Sequence, residues 1–513
     1  MRPIRLLTGF LTVGAWTMLS RVLGFARDII IAARLGDGPV AEAFVVAFSL
    51  PNMFRRFFAE GAFNMAFVPM FSKKLEAGDD AEGFAQDAFS GLATLLIAIT
   101  LLAQLAMPWL VLAMASGFAA DERMALATEF GRICFPYILF ISLAALLSGV
   151  LNATGRFAAA AAAPVLLNVI LISFIATAAI AGGDVGRALA WAVPVAGIAQ
   201  LALVWISAAR AGFRIVVRLP VLTPDLRRLA VIAAPAMLAG GVVQVNLLVG
   251  RQVASYFEGA IQYLNLADRL YQLPLGVVAI AIGVVLLPDL SRKLEAGDTD
   301  GGRAAFNRAT EFALLLTLPA ALALILIAEP ICSVLYGRGA FDVDAVARTA
   351  QVTAIYGAGL PAFVLQKVLQ PLYFARADTR TPFRYALVAM VVNAVLAIGL
   401  APLIGFTAAA WATTLAGWVM VALLWQGVRG LGPAAQIDSR LRARAPRILA
   451  ASVAMGAVLL ALDAVLSVAI VTPTVRYAAL AALVAAGMVT YFGAAQFLGA
   501  AALGEIRGAM RRA

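Results

Sequence analysis

The sequence predicts an all-α protein that crosses a membrane many times, and its composition is the first reason. The chain has 513 residues, of which 63% are hydrophobic and only 13% are charged. Its mean hydropathy is +0.94. Soluble globular chains are about half apolar and about a quarter charged. The composition therefore excludes a soluble enzyme, a disordered protein and a small disulfide scaffold.

Apolar runs long enough to cross a bilayer recur along the whole chain, each needing about 20 residues to cover roughly 30 Å of hydrocarbon. Charged residues, glycines and prolines separate fourteen such runs. In chain order, the predicted spans are 6–33, 40–71, 88–115, 131–152, 159–181, 187–208, 228–255, 266–290, 309–336, 347–374, 383–402, 406–428, 447–470 and 476–502. The first run follows Arg2 and Arg5, as in a signal peptide, but it lacks a convincing small-residue cleavage site. We expect it to be retained as a span.

The distribution of charge between the loops favours an even number of spans with both termini in the cytoplasm. The chain carries 39 Lys and Arg residues against 28 Asp and Glu, a formal net charge of +11. Cytoplasmic loops of membrane proteins collect Lys and Arg. With the N-terminus inside, the opposite loops hold few basic residues, mainly Arg123, Arg187, Arg338, Arg348 and Arg476. The positive charge therefore indicates topology, and we expect no nucleic acid partner.

A duplicated string divides the chain into repeats. Residues 72–79 read SKKLEAGD and residues 291–298 read SRKLEAGD, with a proline at the same distance before each. Pro136 and Asn168 match Pro361 and Asn393 at one common offset. Because the two strings follow spans 2 and 8, the repeat is six spans long and both copies have the same orientation. We predict a six-helix lobe at 1–218, a second at 219–430, and two additional helices at 431–513.

Ionisable residues inside three of the predicted spans are the main candidates for a functional site. Each costs at least about 2.5–3.5 kcal/mol at the middle of a membrane. Those of spans 1, 2 and 8 are Arg21, Arg27, Asp28, Glu42, Arg55, Arg56, Glu60, Asp268 and Arg269. Their helical spacing predicts a water-filled basic cavity for an anion with more than one charge, such as a diphosphate. The alternative is that they reach the interface from helix ends or form structural pairs.

Residues typical of catalysis and of cofactor binding are missing from the sequence. There is no histidine, the usual proton-transfer residue near neutral pH. Cys134 and Cys332 have no metal-ligand neighbours, and we interpret them as buried thiols. No phosphate-binding loop of the form GxxxxGK[ST] occurs. We expect no enzyme activity, metal or cofactor. The energy for transport would then come from the membrane potential or from a monovalent cation. Gln244 and Asn246 either bind that ion or pair with neighbouring helices.

Several motifs together give the chain a family resemblance. Span 1 contains the string SRVLGFARD, and further motifs lie at Leu50–Asn52, Arg55–Arg56, Phe58–Phe63, Ala66–Pro69, Phe135–Leu139, Ala267–Leu270 and Leu286–Pro288. In this combination the sequence resembles the MurJ (MviN) family of lipid II flippases, within the multidrug/oligosaccharidyl-lipid/polysaccharide exporter superfamily. The motifs extend across most of the chain, and the fourteen spans and six-span repeat agree with that family's fold.

The resemblance implies a function, a set of site residues and partners. A member would carry lipid-linked peptidoglycan precursor (lipid II) from the inner to the outer leaflet of the bacterial cytoplasmic membrane by alternating access. The nine ionisable residues named above would line its cavity, and spans 13 and 14 would form an apolar groove for the polyprenyl tail. Lipid II and membrane lipids would be its partners, with cell-wall synthesis machinery as a further candidate. Some members have an acid where this chain has Gln272, which puts a role for that position in doubt.

Other classes of function remain as alternatives. A flippase for another polyprenyl-diphosphate-linked sugar would share the basic cavity, whereas a related exporter of cationic drugs should line its cavity with acids. A membrane enzyme would need an acidic metal cluster or a nucleophile–base pair in a loop, and the loops are short and lack both. A scaffold would leave the arginines inside the spans unexplained.

Overall fold

The computed structural model describes residues 3–58, 62–216 and 218–500, and all regular elements in these ranges are helices. The α-helices are α1 Pro3–Leu35, α2 Pro39–Phe58, α3 Ala62–Ala77, α4 Ala81–Met114, α5 Glu122–Cys134, α6 Tyr137–Ala153, α7 Ala158–Ala181, α8 Val185–Arg210, α9 Pro224–Ala254, α10 Ala260–Glu295, α11 Thr299–Leu326, α12 Ala328–Tyr336, α13 Val343–Phe374, α14 Arg380–Ile404, α15 Ala408–Val428, α16 Ser439–Val471 and α17 Arg476–Phe497. Short 3₁₀ helices occur at Ser116–Ala120, Gly405–Thr407, Arg429–Leu431 and Pro433–Ala435. The predicted all-α fold class is confirmed.

The helices correspond to the predicted spans in order, although their boundaries differ. By length and composition, nine helical stretches among the described residues can cross a membrane. The count of fourteen spans stays a prediction. Predicted span 40–71 falls on α2 and α3, on either side of residues 59–61, which are not described. Predicted span 131–152 falls on α5 and α6, which part at Pro136, a residue without an amide hydrogen to donate.

The duplicated string has the same local structure in both places. Gly78 after α3 and Gly297 after α10 have φ of +67° and +73°, the left-handed conformation that ends many helices. The next helix is then capped by an aspartate whose carboxylate accepts from a glycine amide. Asp80, one residue after the first string, accepts from Gly83, and Asp298, the last residue of the second string, accepts from Gly301. A Cβ on either of those glycines would lie within 2.1 Å of the capping carboxylate. The two copies therefore end their helices at the same glycine, and the cap of the following helix differs by one position.

The chain divides into two compact units, Met1–Gln262 and Tyr263–Ala513. Within the first unit, α1 packs on α7, α7 on α8, α2 on α5, and α6 on α8. Within the second, α13 packs on α11 and α15, and α14 packs on α15. The predicted lobe boundaries at 218 and 430 rest on the repeat in the sequence alone, and they stay predictions.

The two additional helices are attached to α11. An apolar cluster joins the four elements α11, α12, α16 and α17, with Leu315, Leu459 and Leu483 among its buried members. Near the middle of α11, beside the start of α16, the Glu311 carboxylate accepts hydrogen bonds from Arg308, Arg440 and Arg444. α16 is therefore fixed to α11 by ion pairs at one end and by apolar packing along the rest of the contact.

The predicted topology can be tested by labelling single introduced cysteines. Cys134 and Cys332 are fully buried, so the natural chain should serve as an unreactive blank. Leu219→Cys lies at an 89% exposed position in a predicted cytoplasmic loop, and Val343→Cys at an 82% exposed position on the predicted outer side. In intact cells, a membrane-impermeant maleimide should label Val343→Cys and should reach Leu219→Cys only after permeabilisation. The reverse pattern would contradict the predicted orientation.

Candidate functional site

A buried polar cluster joins α1 to α7 and contains two of the predicted site residues. Arg27 and Asp28 are 7% and 6% exposed. Arg27 donates to Asp28 Oδ1 from Nε at 3.0 Å and from Nη2 at 2.7 Å, and to Asn168 Oδ1 from Nη1 at 3.0 Å. The guanidinium is therefore held by one carboxylate and one neutral amide, both on helices of the first unit.

Asn168 fixes the position of this cluster. Its amide nitrogen donates to the backbone oxygen of Ser20 at 3.0 Å, one and a half to two turns before Arg27 on α1. Gly24 lies between them, and a Cβ at that position would lie 3.5 Å from the Asn168 amide nitrogen, an ordinary van der Waals distance, so the contact between α7 and α1 does not depend on glycine there. Asn168 thus ties α7 to α1 and at the same time orients the Arg27 side chain.

Arg21 differs from Arg27 in its surroundings. It lies near the middle of α1, its side chain is exposed, and it forms no ion pair with a described residue. In the predicted span 6–33, a guanidinium near the middle of the helix without an ion pair is expected to contact water or an anion, because the cost in hydrocarbon is at least about 2.5–3.5 kcal/mol.

Glu42 is held in a second buried cluster. It is 1% exposed; its Oε2 accepts from Arg123 Nη1 at 2.8 Å, and its Oε1 accepts from the backbone N–H of Ile261 at 3.0 Å. Arg123 also donates to Asp121 and lies 4.4 Å above the Phe118 ring. Its hydrogen bonds lower the pKa of Asp121 below the usual value for a carboxyl. Both oxygens of Glu42 are thus occupied by protein groups in this structure.

The 3₁₀ helix Ser116–Ala120 holds the end of α9 beside this cluster. The N–H of Ser116 donates to Gln252 Oε1 at 2.6 Å, and the N–H of Gly117 donates to Ser255 Oγ at 2.9 Å. A Cβ on Gly117 would lie 2.4 Å from the Ser255 carbonyl, so the two backbones meet only because residue 117 is glycine. Together with the bond from Ile261 to Glu42, these contacts fix the connection from α9 to α10 within the first unit.

Arg55 lines a cavity inside the first unit. The cavity has a volume of about 290 Å³ and also includes the polar side chains of Asn64, Ser148, Asn152 and Gln200. Arg55 is half-buried. Arg56 lies on α2, but its side chain is outside the described residues, as is the whole of Glu60. The predicted site on span 2 is therefore described only at Glu42 and Arg55.

Asp268 and Arg269 lie on α10 in the second unit, and both are half-buried. Gln272 donates from its amide nitrogen to an Asp268 carboxylate oxygen, one helical turn away. This contact gives a physical role to the position at which the sequence departs from the family pattern. The single cavity expected from spans 1, 2 and 8 stays a prediction, because the residues of spans 1 and 2 lie in the first unit and Asp268 and Arg269 lie in the second.

Two residues of these clusters were not predicted as site residues. Asn168 was noted only as a match between the repeats, although a lone amide in an otherwise apolar span is a signal that a buried partner exists. Arg123 was interpreted as a charge of an outer loop, and nothing local indicates its pairing with Glu42, 81 positions away.

Comparisons with known proteins give one consistent result. Residues 31–487 match the family model described as lipid II flippase MurJ. A probable lipid II flippase MurJ of Rhizobium meliloti (strain 1021) is 46% identical over 519 residues, covering 98% of this chain and 96% of the relative. A lipid II flippase MurJ of Burkholderia cenocepacia is 36% identical over 445 residues, covering 84% and 85%.

Solved structures share the fold. A lipid II flippase MurJ in an inward closed conformation superposes with a TM-score of 0.79 at 24% identity, over 95% of this chain and 98% of that one. An inward-facing transporter of the multidrug resistance MATE family, of the MOP superfamily, has a TM-score of 0.66 at 13% identity, over 83% and 98%. At these identities the likeness shows the fold alone.

The role of Asn168 can be tested by stability measurements. Asn168→Ala leaves one guanidinium nitrogen of the buried Arg27 without a partner and removes the link from α7 to the backbone oxygen of Ser20, which should cost about 1–3 kcal/mol of folding free energy. Ser173→Ala is a matched control on the same helix, because Ser173 bonds only to the backbone of its own helix, at Val169. Thermal unfolding of the purified proteins should show a lower midpoint for Asn168→Ala only. Equal midpoints for the two variants would contradict the assignment.

Proposed function

Because the chain belongs to the MurJ family of lipid II flippases, we propose that it carries lipid II from the inner to the outer leaflet of the bacterial cytoplasmic membrane by alternating access. Its helices make it an integral membrane protein. The diphosphate and head group bind to basic residues of α1, α2 and α10, while the polyprenyl tail stays in the lipid.

The observation that best supports the binding of a diphosphate is the difference in exposure and ion pairing between Arg21 and Arg27 on α1. Arg21 is exposed near the middle of the helix without an ion pair to a described residue, whereas Arg27 is buried and already paired. A guanidinium binds phosphate oxygens bidentately and keeps its charge at any physiological pH. Arg21 is therefore a residue of α1 that is available for the substrate, and the Arg27 cluster holds the helix in place around it.

The contacts of Glu42 support a mechanism in which the site opens to the two sides in turn. The connection from α9 to α10 is held by hydrogen bonds, from Ile261 to Glu42 and from the Ser116–Ala120 segment to residues 252 and 255. A hydrogen bond between neutral groups contributes about 0.5–1.5 kcal/mol net, and the bond from Ile261 to the Glu42 carboxylate about 1.5–3 kcal/mol. A few bonds of this strength can hold one state of a transporter and still be exchanged during a cycle.

We further propose that transport involves no covalent chemistry and is driven by the membrane potential or by a monovalent cation. The sequence contains no histidine and no nucleotide-binding loop of the GxxxxGK[ST] type. The structural likeness to a MATE transporter shows the fold and does not favour drug export, for which the uncompensated Arg21 on α1 would be an unsuitable binding group for a cation.

Depletion of the protein tests the function directly. Cells that lose it should accumulate lipid II on the inner face of the cytoplasmic membrane, measured by its accessibility to an external reagent that modifies the lipid II head group. Restoration of the chain should return lipid II to the outer face. An unchanged distribution after depletion would overturn the proposal.

Single substitutions test the basic residues. Arg27→Ala and Arg269→Ala should each abolish flipping while the protein still inserts, because the first removes the guanidinium that binds the buried Asp28 and the second removes a basic group of α10. Arg187→Ala and Arg348→Ala are matched controls, since both arginines are more exposed and pair with nearby acids. The measurement is complementation of depleted cells at equal membrane levels. Growth with both Arg27→Ala and Arg269→Ala would refute the role of these arginines.

A further inference from the structure

Five arginines were assigned to the predicted outer side, and the structure divides them into two groups. Three have carboxylate partners: Arg123 pairs with Glu42 and Asp121, Arg187 with Glu129, and Arg348 with Asp344. The other two, Arg338 and Arg476, have no carboxylate within ion-pair distance among the described residues. These two come from different elements of the second unit, and they meet at one place.

Arg338 and Arg476 converge on the ring of Tyr477. Arg338 follows α12, and its Cζ lies 5.7 Å from the ring centre; Arg476 begins α17, and its Cζ lies 5.2 Å from it. Arg476 Nη1 donates to the backbone oxygen of Gly337 at 3.0 Å, which binds the α12–α13 turn to the start of α17. The two guanidiniums are thus fixed near each other by the fold.

The hydrogen-bonding capacity of this pair is only partly used. Arg338 donates through Nη2 to the backbone oxygens of Val334 and Leu335, at the end of α12. The Nε atoms of Arg338 and Arg476 are both buried without a hydrogen-bond partner among the described residues. Arg476 Nη2 also donates to the Tyr477 hydroxyl oxygen, at 3.5 Å. Since a guanidinium has five N–H donors, the cluster retains unused donors and two positive charges without a carboxylate partner among the described residues.

The surroundings indicate which kind of anion can reach the cluster. Tyr477 is 50% exposed, and Val471 and Val475, on either side of the α16–α17 connection, are also exposed. An aromatic ring with a polar tip, arginines and exposed valines at the end of membrane-crossing helices is the environment of a lipid head group rather than of a soluble anion alone.

We propose that Arg338, Arg476 and Tyr477 form a binding site for the phosphate group of a membrane lipid, at the end of the second unit where α12 ends and α17 begins. The phosphate oxygens accept from the unused guanidinium N–H groups, and the lipid chains lie along the exposed valines. The lipid is an anionic phospholipid or an isoprenoid diphosphate, which share this chemistry.

Native mass spectrometry of the full-length protein in detergent tests the site. The probes are phosphatidylglycerol, the zwitterionic phosphatidylcholine, farnesyl diphosphate and inorganic pyrophosphate. The double variant Arg338→Gln/Arg476→Gln should bind phosphatidylglycerol or farnesyl diphosphate at least about tenfold more weakly than the natural chain, as expected from losing charge-assisted hydrogen bonds. Arg187→Gln/Arg348→Gln removes the same net charge from paired arginines and should change binding less than twofold.

The pattern of losses identifies the source of the phosphate. A selective loss for phosphatidylglycerol assigns a phospholipid, and a selective loss for farnesyl diphosphate assigns an isoprenoid lipid. An equal loss for inorganic pyrophosphate would overturn the assignment to a lipid, and unchanged binding in the Arg338→Gln/Arg476→Gln variant would overturn the site. Arg338→Lys/Arg476→Lys, which keeps the charge but loses the bidentate geometry, should bind with intermediate affinity and provides a test if the glutamine variant does not fold.

Discussion

The high cost of an ionised side chain in hydrocarbon is the constraint on which this structure depends. Each buried charge that the structure describes in a predicted span is compensated by a specific partner. Arg27 is compensated by Asp28 and Asn168, Glu42 by Arg123, and Glu311 by a group of arginines. Each of these clusters connects at least two helices. The same groups that must be neutralised therefore also determine which helices pack together.

The presence or absence of a carboxylate partner separates arginines that hold helices together from arginines that can bind a ligand. A buried ion pair adds little net stability, but losing one member leaves an isolated charge and costs about 3–5 kcal/mol. Arg27 and Arg123 are in this situation and cannot easily leave their partners. Arg21 on α1 and the Arg338–Arg476 pair have no carboxylate partner among the described residues, and they are more exposed. Anionic ligands are expected at arginines of this second kind.

The sequence predicts the fold class and the order of the helices because hydropathy reports directly on contact with lipid. It does not predict the helix ends, because backbone hydrogen bonds continue beyond the apolar part: α5 begins at Glu122, although its apolar run begins near residue 131. The pairing of Arg27 with Asp28 can be anticipated from the sequence, because the two residues are adjacent. The contacts of Arg27 with Asn168 and of Glu42 with Arg123 join residues 141 and 81 positions apart, and only the packing of the helices shows them.

The attachment of the additional helices has a mechanical consequence. Glu311 accepts from arginines of both α11 and α16, and the apolar cluster around Leu315 continues this contact to α17. Separating α16 from α11 would expose both a buried carboxylate and a continuous apolar surface. These contacts attach the two helices firmly to α11, so a rotation or tilt of α11 is expected to carry α16 and α17 with it.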